Sequence, residues 1–442
     1  MNQPTEVFGL LGPEQLPSTR RLRTLGLGAT VRYFNDRAVP GMGGVWFAKQ
    51  LVLALFGVQL AERTRRSKVE VANAIEALGC WLAIRRRQVV RDPRIRGVRK
   101  LAHVAEDELS FERLRKRGFY VSQPMRMATV QPLAALGLVA AASSRFNAFE
   151  CTEAGSSLLE DYTAGYRPSN QDLDIAIERW IRGKEIKSNS PLLRQALDPG
   201  APLPKSVQDQ ILERLKQGRP GEPDEDRRRR RGALALVEWL RLHRKDAIDW
   251  ALQPTQIESD AHWHDLEAGR RFLIARDAAL VLLVAIERHM RSERSVPVDR
   301  ALLDSVATEI EQLRLDAQAF LDSGHGNLEA KRFCAECVAH DQTRVIRSLV
   351  DRDGVVLIRI DNRIAPGPLF LSTPADDPAS TVAQLSSEAA AAAEDDDGPQ
   401  AGIQWPPGMS FRMNNLFLLN LDLHGELGKE LKLDDLSQGA AK

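Results

Sequence analysis

GFYVSQPMRMATVQPLAALGLVAAASSRFNAFECTEAGSSLLE, residues 118–160, is the stretch on which the reading of the whole chain turns. Phe119-Tyr120-Val121 is a short extended piece, and Ser122 followed by Pro124 suits a helix start. A small, apolar helix then ends in Leu136-Gly137-Leu138-Val139. The polar turn Ser143-Ser144-Arg145 separates two strand-like segments, and Thr152-Glu153-Ala154-Gly155 opens a further helix.

With LGLV closing one helix, a hairpin following, and TEAG opening the next, the stretch resembles the second half of a winged helix-turn-helix domain. The resemblance implies that the helix between Met125 and Leu136 faces a DNA groove, presenting Arg126, Thr129 and Gln131. Arg and Gln have the bidentate geometry that base edges require. It also implies phosphate or minor-groove contact by Arg145 and Asn147 at the wing tip. Pro132 falls inside the helix and would shorten or kink it. The many Ala and Leu residues around it suit a protein-interaction role as well.

Upstream, Ser67 to Arg87 has apolar residues Val71, Ile75, Leu78 and Leu82 at helical spacing, and Ser67 with Glu70 offers a capping box. Val45 to Glu62 is apolar nearly all round, as the central helix of a bundle is. Between these helices and the decisive stretch lies the most basic region of the chain, RRRQVVRDPRIRGVRK. Its cations are Arg85, Arg86, Arg87, Arg91, Arg94, Arg96, Arg99 and Lys100, set against Asp92. Phosphate neutralisation by such side chains releases counterions, so the region is a candidate for sequence-independent nucleic-acid affinity; a solvated connector fits equally. Leu101 to Arg117 reads as a helix. Gly26-x-Gly28 and Gly41-x-Gly43-Gly44 complete neither nucleotide-binding pattern and read as flexible loop.

At 442 residues the chain exceeds what one core holds. The expected division is a helical domain over 1–182 with a winged-helix-like module at about 67–165. A Pro/Gly/Arg-rich linker region over 183–231 contains a helix at Val207 to Gln217. The remainder, 232–442, is a helical domain with a small C-terminal β-sheet. The five arginines 227–231 follow Asp224-Glu225-Asp226, so they suit an acidic partner or a self-neutralised helix start. GVVLIRIDNRIAPGPLFL, from Gly354, alternates as a strand does, and Leu416, Leu418, Leu421 and Leu423 suggest a pairing strand. Residues 372–402, with a five-alanine run and Glu394-Asp395-Asp396-Asp397, read as a disordered acidic insert. The fold class is therefore mainly α: winged-helix-like N-terminal region, helical-bundle middle, small C-terminal β-element.

Lys and Arg number 61 against 60 Asp and Glu, so no global basic field exists and any attraction to nucleic acid must be local. Four cysteines make no disulfide framework. The start, MNQPTEVFGLLGPEQ, lacks the features of a signal peptide, and the apolar runs Val45–Ala61 and Phe272–Ile286 contain charged residues. The expectation is a cytoplasmic protein without membrane contact.

Three constellations could carry metal chemistry. Cys334-x-x-Cys337-x-x-His340, with His325 upstream, has zinc-like ligands but no second pair, and also reads as the core face of a helix. His262-Trp263-His264-Asp265, with His243 and His289 elsewhere, reads as an inter-helix loop. Asp361 and Asp422, if on neighbouring strands, could hold Mg²⁺. No nucleophile elbow, Walker or HExxH signature is present. The expectation is no cofactor and no catalytic residue. The expected role is a non-catalytic adaptor or DNA-binding subunit of a bacterial DNA-transaction system, in transcription control, a mobile element or anti-phage defence. Other protein subunits are its expected partners and double-stranded DNA a further one, with self-association open. The alternatives are a protein-interaction scaffold without DNA contact, and a metal-dependent nuclease or hydrolase in the C-terminal half.

Overall fold

The computed structural model describes residues 23–86, 92–243, 248–290, 293, 295–370, 399–400 and 402–433, with the side chain of Arg86 not described. The architecture is mainly helical, with two small antiparallel sheets. Most of the 372–402 segment, and Arg87 and Arg91 of the basic region, lie outside the described residues.

Helix α1 spans Gly28–Ala38, and α2 (Ala48–Thr64) is buried on every side from Ala48 to Val58. A helix that is apolar all round has to be surrounded, and α3 (Lys68–Arg86) crosses it so closely that a Cβ on Gly57 would sit 2.8 Å from the Ala72 methyl. The N-terminus of α3 is capped from outside the helix. Asn147 accepts from Val69 N and from Ser67 Oγ, whereas Glu70 pairs with Arg115, so the local capping box does not form.

The expected helix over Leu101 to Arg117 is broken into short pieces: α4 (Val98–Leu101), a 3₁₀ turn at Glu106–Glu108, and α5 (Phe111–Leu114). A 3₁₀ turn at Met125–Thr129 leads into α6 (Val130–Ala135). Pro132 therefore lies in the first turn of a short helix, where its missing N–H costs nothing. Strands β1 (Val139–Ala141) and β2 (Phe149–Cys151) form a hairpin, and Thr152 caps α7 (Glu153–Ala164) by accepting from Gly155 N. Helix α8 (Leu173–Ile181) follows.

Residues 183–231, expected as a linker region, hold α9 (Pro191–Leu197), α10 (Lys205–Gln217) and the start of α11 (Asp224–His243). Leu193, Leu197, Val207, Ile211 and Leu215 join the same core as α2 and α3. Prolines here begin helices instead of preventing them: Pro191 follows the Ser190 cap. Two of the five arginines are turned inward, Arg230 held by Glu222 at 2.5 and 2.6 Å and Arg229 by Asp265 at 2.6 Å, while Arg228 and Arg231 are exposed.

The second core gathers around α12, a helix of 31 residues (Asp260–Met290). Against it pack α13 (Arg300–Ser305), α14 (Ala307–Asp322), α15 (Leu328–Cys337) and α16 (Gln342–Asp353). Strand β3 (Val296–Pro297) pairs with β5 (Arg363–Pro366), which pairs with β4 (Leu357–Ile360). The segment expected to pair with Val355–Ile360 is instead α17 (Phe411–Leu423), followed by α18 (Leu427–Glu430). Its near-continuous apolar run satisfies helical spacing on several faces at once, because α17 is covered by α1, α10 and α11. No helix among the described residues is long and apolar enough to cross a membrane.

Candidate functional site

Of the side chains that a groove-facing helix would offer to bases, Thr129 is buried, Arg126 half-buried and Gln131 exposed, and each has a partner within the fold. Gln131 accepts from Arg412 Nη2 at 3.0 Å, and Arg412, buried in α17, also donates to Asp36 and to Val39 O. Arg126 donates from its backbone N to Glu76 (2.7 Å) and from Nε to Asn73 (2.6 Å), with its guanidinium over the Phe146 ring. Thr129 is fully buried and donates to Arg126 O. Asn147 caps α3, so of the five expected contact residues only Arg145 is an exposed cation at the hairpin tip.

Four described cations of the basic region, Arg85, Arg94, Arg96 and Lys100, also have partners within the fold. Arg94 is buried and forms a bidentate pair with Asp92, with Asp422 3.5 Å away. Arg96 donates to Gln123 O, Lys100 to Gly118 O, and Arg85 to Val104 O while lying over Trp81. Arg99 is exposed. Close by, Lys49 is buried and donates to Gln195 O, its ammonium over the Tyr162 ring. Burial lowers its pKa to about 7 against the pull of Asp198 and Asp422. Asp422 lies on a helix, not a strand, and accepts from Ala48 N at 2.8 Å; burial raises its pKa. Asp361 sits in the β4–β5 turn at φ 54°, so the two acids are not strand neighbours.

Cys334 and Cys337 face the second core from α15, while His340 is exposed outside the helix. Burial pushes the Cys334 thiol up to about 12 and the Cys337 thiol higher, so neither is poised to supply a thiolate. The segment His262 to Asp265 lies within the first two turns of α12, not in a loop. His262 donates to Ala38 O, and desolvation holds its pKa near 4. Asp265 bridges Arg229 and His325 Nε2 (2.8 Å), and His264 stacks on His325. His243 and His289 lie on α11 and α12. Among the described residues no group of three or more His, Cys, Asp or Glu side chains could hold a metal ion.

What remains open beside α6 is a cleft of about 940 Å³. Its floor is small and apolar: Val130, Ala134 and Ala135 from α6, Val139 to Ala141 from β1, and Ala154 from α7. Its rim carries Asp36 and Glu153, Ser143 and Ser144, and, from the supposed linker, Arg214 and Arg219. Arg214 donates to Leu136 O at 2.6 Å and also to Gly218 O, which lays α10 across the end of α6. Gly137, at φ 68°, makes room for this: a Cβ there would sit 2.6 Å from Arg214 Nη2. Sequence reasoning named Gln131 in this cleft but missed Arg214 and Arg219, whose approach depends on tertiary packing across 77 residues or more from Gly137. No family model, no curated protein and no solved structure matches the chain.

Proposed function

We propose that the protein is a non-catalytic platform that binds another protein through its winged-helix-like unit. The observation that carries this reading is the contrast at α6. Thr129 is buried, Arg126 is held by Glu76 and Asn73, and Gln131, exposed at the cleft, gives its carbonyl oxygen to Arg412, while the small-residue cleft alongside stays open. Base reading needs free donors and acceptors at a convex surface. A concave cleft with a small apolar floor and a few polar groups at its rim can seat a peptide segment of another protein.

Titration of labelled duplex DNA with the full chain at low salt tests it. Absence of binding, or binding unchanged by reversing Arg99, Lys100 and Arg145 to Glu, supports the platform. Binding with a steep salt slope that those reversals abolish overturns it. That second outcome belongs to a reading in which DNA is held by its phosphates alone, favoured by the exposure of Arg99 and Arg145. Under it the protein would serve a DNA-transaction assembly of the kind expected from the sequence.

A further inference from the structure

The two edges of the hairpin are treated differently. In β2, Cys151 N donates to Glu62 (3.2 Å) and Phe149 O accepts from Lys68 Nζ, so side chains of α2 and α3 occupy the outer backbone groups. In β1, Leu138 O accepts from Thr152 N, which turns residues 138 and 140 toward β2. By antiparallel alternation, the N–H and C=O groups of Val139 and Ala141 point the other way, toward the cleft. Among the described residues β1 has no strand neighbour on that side. Ala141 is exposed and Val139, 3 % exposed, reaches the surface where it lines the cleft, so this short edge is a template for one more strand from within the cleft.

The rim supplies the chemistry of the occupant. Arg219 is exposed, and Arg214 donates to backbone carbonyls and to Gln217. Neither makes an ion pair with a carboxylate among the described residues, whereas Asp36 on the opposite rim is paired with Arg412. Arg214 and Arg219, which outnumber Glu153, the rim acid with no ion pair among the described residues, favour a carboxylate at the Gly137 end of the cleft. The floor of Ala134, Ala135 and Ala140 leaves space for small to medium apolar side chains at alternate positions.

We infer that the cleft takes an extended, acid-bearing segment of a partner protein. That segment adds antiparallel or parallel to β1, exchanging main-chain hydrogen bonds with Val139 and Ala141 and setting a carboxylate against Arg214 and Arg219. The assignment rests on the platform reading above.

The test selects a phage-displayed library of random dodecapeptides on the immobilised full chain, then measures synthetic copies of the enriched peptides by fluorescence anisotropy. Enriched peptides carry Asp or Glu and lose affinity roughly tenfold on Ala141→Pro, which removes an outward N–H that the hairpin does not use. Arg219→Glu, at an exposed position, weakens them by a similar factor and more at low salt. The Val139 and Ala141 amides gain protection from hydrogen exchange when peptide is bound. No enrichment, or peptides indifferent to both variants, overturns the assignment. Duplex DNA is titrated in parallel. DNA binding lost on the charge reversals removes the platform reading itself; failure of the peptides without DNA binding removes only the occupant.

Discussion

Asn147 Oδ1 accepts the backbone N–H of Val69 at 3.0 Å, so the hairpin tip caps the helix α3 across 78 residues of chain. A first-turn N–H left without an acceptor is the usual penalty of a lost cap. Asn147→Ala is therefore expected to cost about 1 kcal/mol in urea denaturation, and Asn147→Asp to cost less than half of that. A residue contacting nucleic acid would behave in the opposite way, changing affinity and leaving stability alone.

Gly155 is the second case in which position decides the sign of a substitution. Glycine to alanine inside a helix normally stabilises by about 0.5–1 kcal/mol. Here a Cβ would sit 2.1 Å from Leu138 O, the carbonyl that joins β1 to the start of α7. Gly155→Ala is expected to destabilise by about 2–3 kcal/mol, since backbone must move to admit the methyl. A thermal scan showing a raised or unchanged Tm would contradict the packing described.

Lys49 gives a pH dependence. Its folded pKa, near 7, lies below the ordinary 10.5, so between those values the unfolded chain binds more protons than the folded one. Stability thus rises with pH from about 7 toward 10.5, by up to about 1.4 kcal/mol per unit, and the full cost of the buried ammonium is present below 7. Lys49→Met is expected to stabilise the protein at pH 7 and to flatten this slope. Guanidinium chloride titrations of both proteins at pH 7 and pH 9 measure the difference directly.

Thiol reactivity follows from burial. Burial pushes the Cys80, Cys151 and Cys334 thiols up to about 12, and Cys337 higher. A thiol-specific chromogenic reagent at pH 8 is expected to react with the native protein on the order of a thousandfold more slowly than with the protein in denaturant. Rapid release of one equivalent from the native state would place a cysteine elsewhere.

Much of this fold was legible in residues whose constraints are local. The Thr152 cap, the β1–β2 hairpin and the all-round burial of α2 follow from neighbouring residues and from period. The face of α15 that carries Cys334 and Cys337 was legible too, as the core alternative to a zinc site. What escaped were choices made by distant partners. Leu416 to Leu423 fits strand or helix by pattern, and only the helices around it decide for helix. Prolines 191, 199, 202 and 204 mark a linker by composition, yet the hydrophobic side chains between them reach the main core. The basic region signals nucleic acid by its charge count; Asp92 is visible beside Arg94, but the carbonyls of Gln123 and Gly118 are invisible as partners in one dimension. For the same reason the cleft could not be seen: Arg214 and Arg219 meet β1 only after α10 folds back.

Helix α12 places Leu266 in one core and Ala268 onward in the other, and α1 does the same with Ala38 and Phe34. At about 1.5 Å per residue, α12 is a strut of roughly 46 Å shared by both. Neither core can melt while keeping its own stretch of that helix ordered without also losing contacts that anchor the other. The two cores are therefore expected to unfold together, with one heat-absorption peak in calorimetry, and a cleavage within α12 is expected to release both halves from the folded state. A partner seated near β1 would then stiffen, through the same strut, a region it never touches.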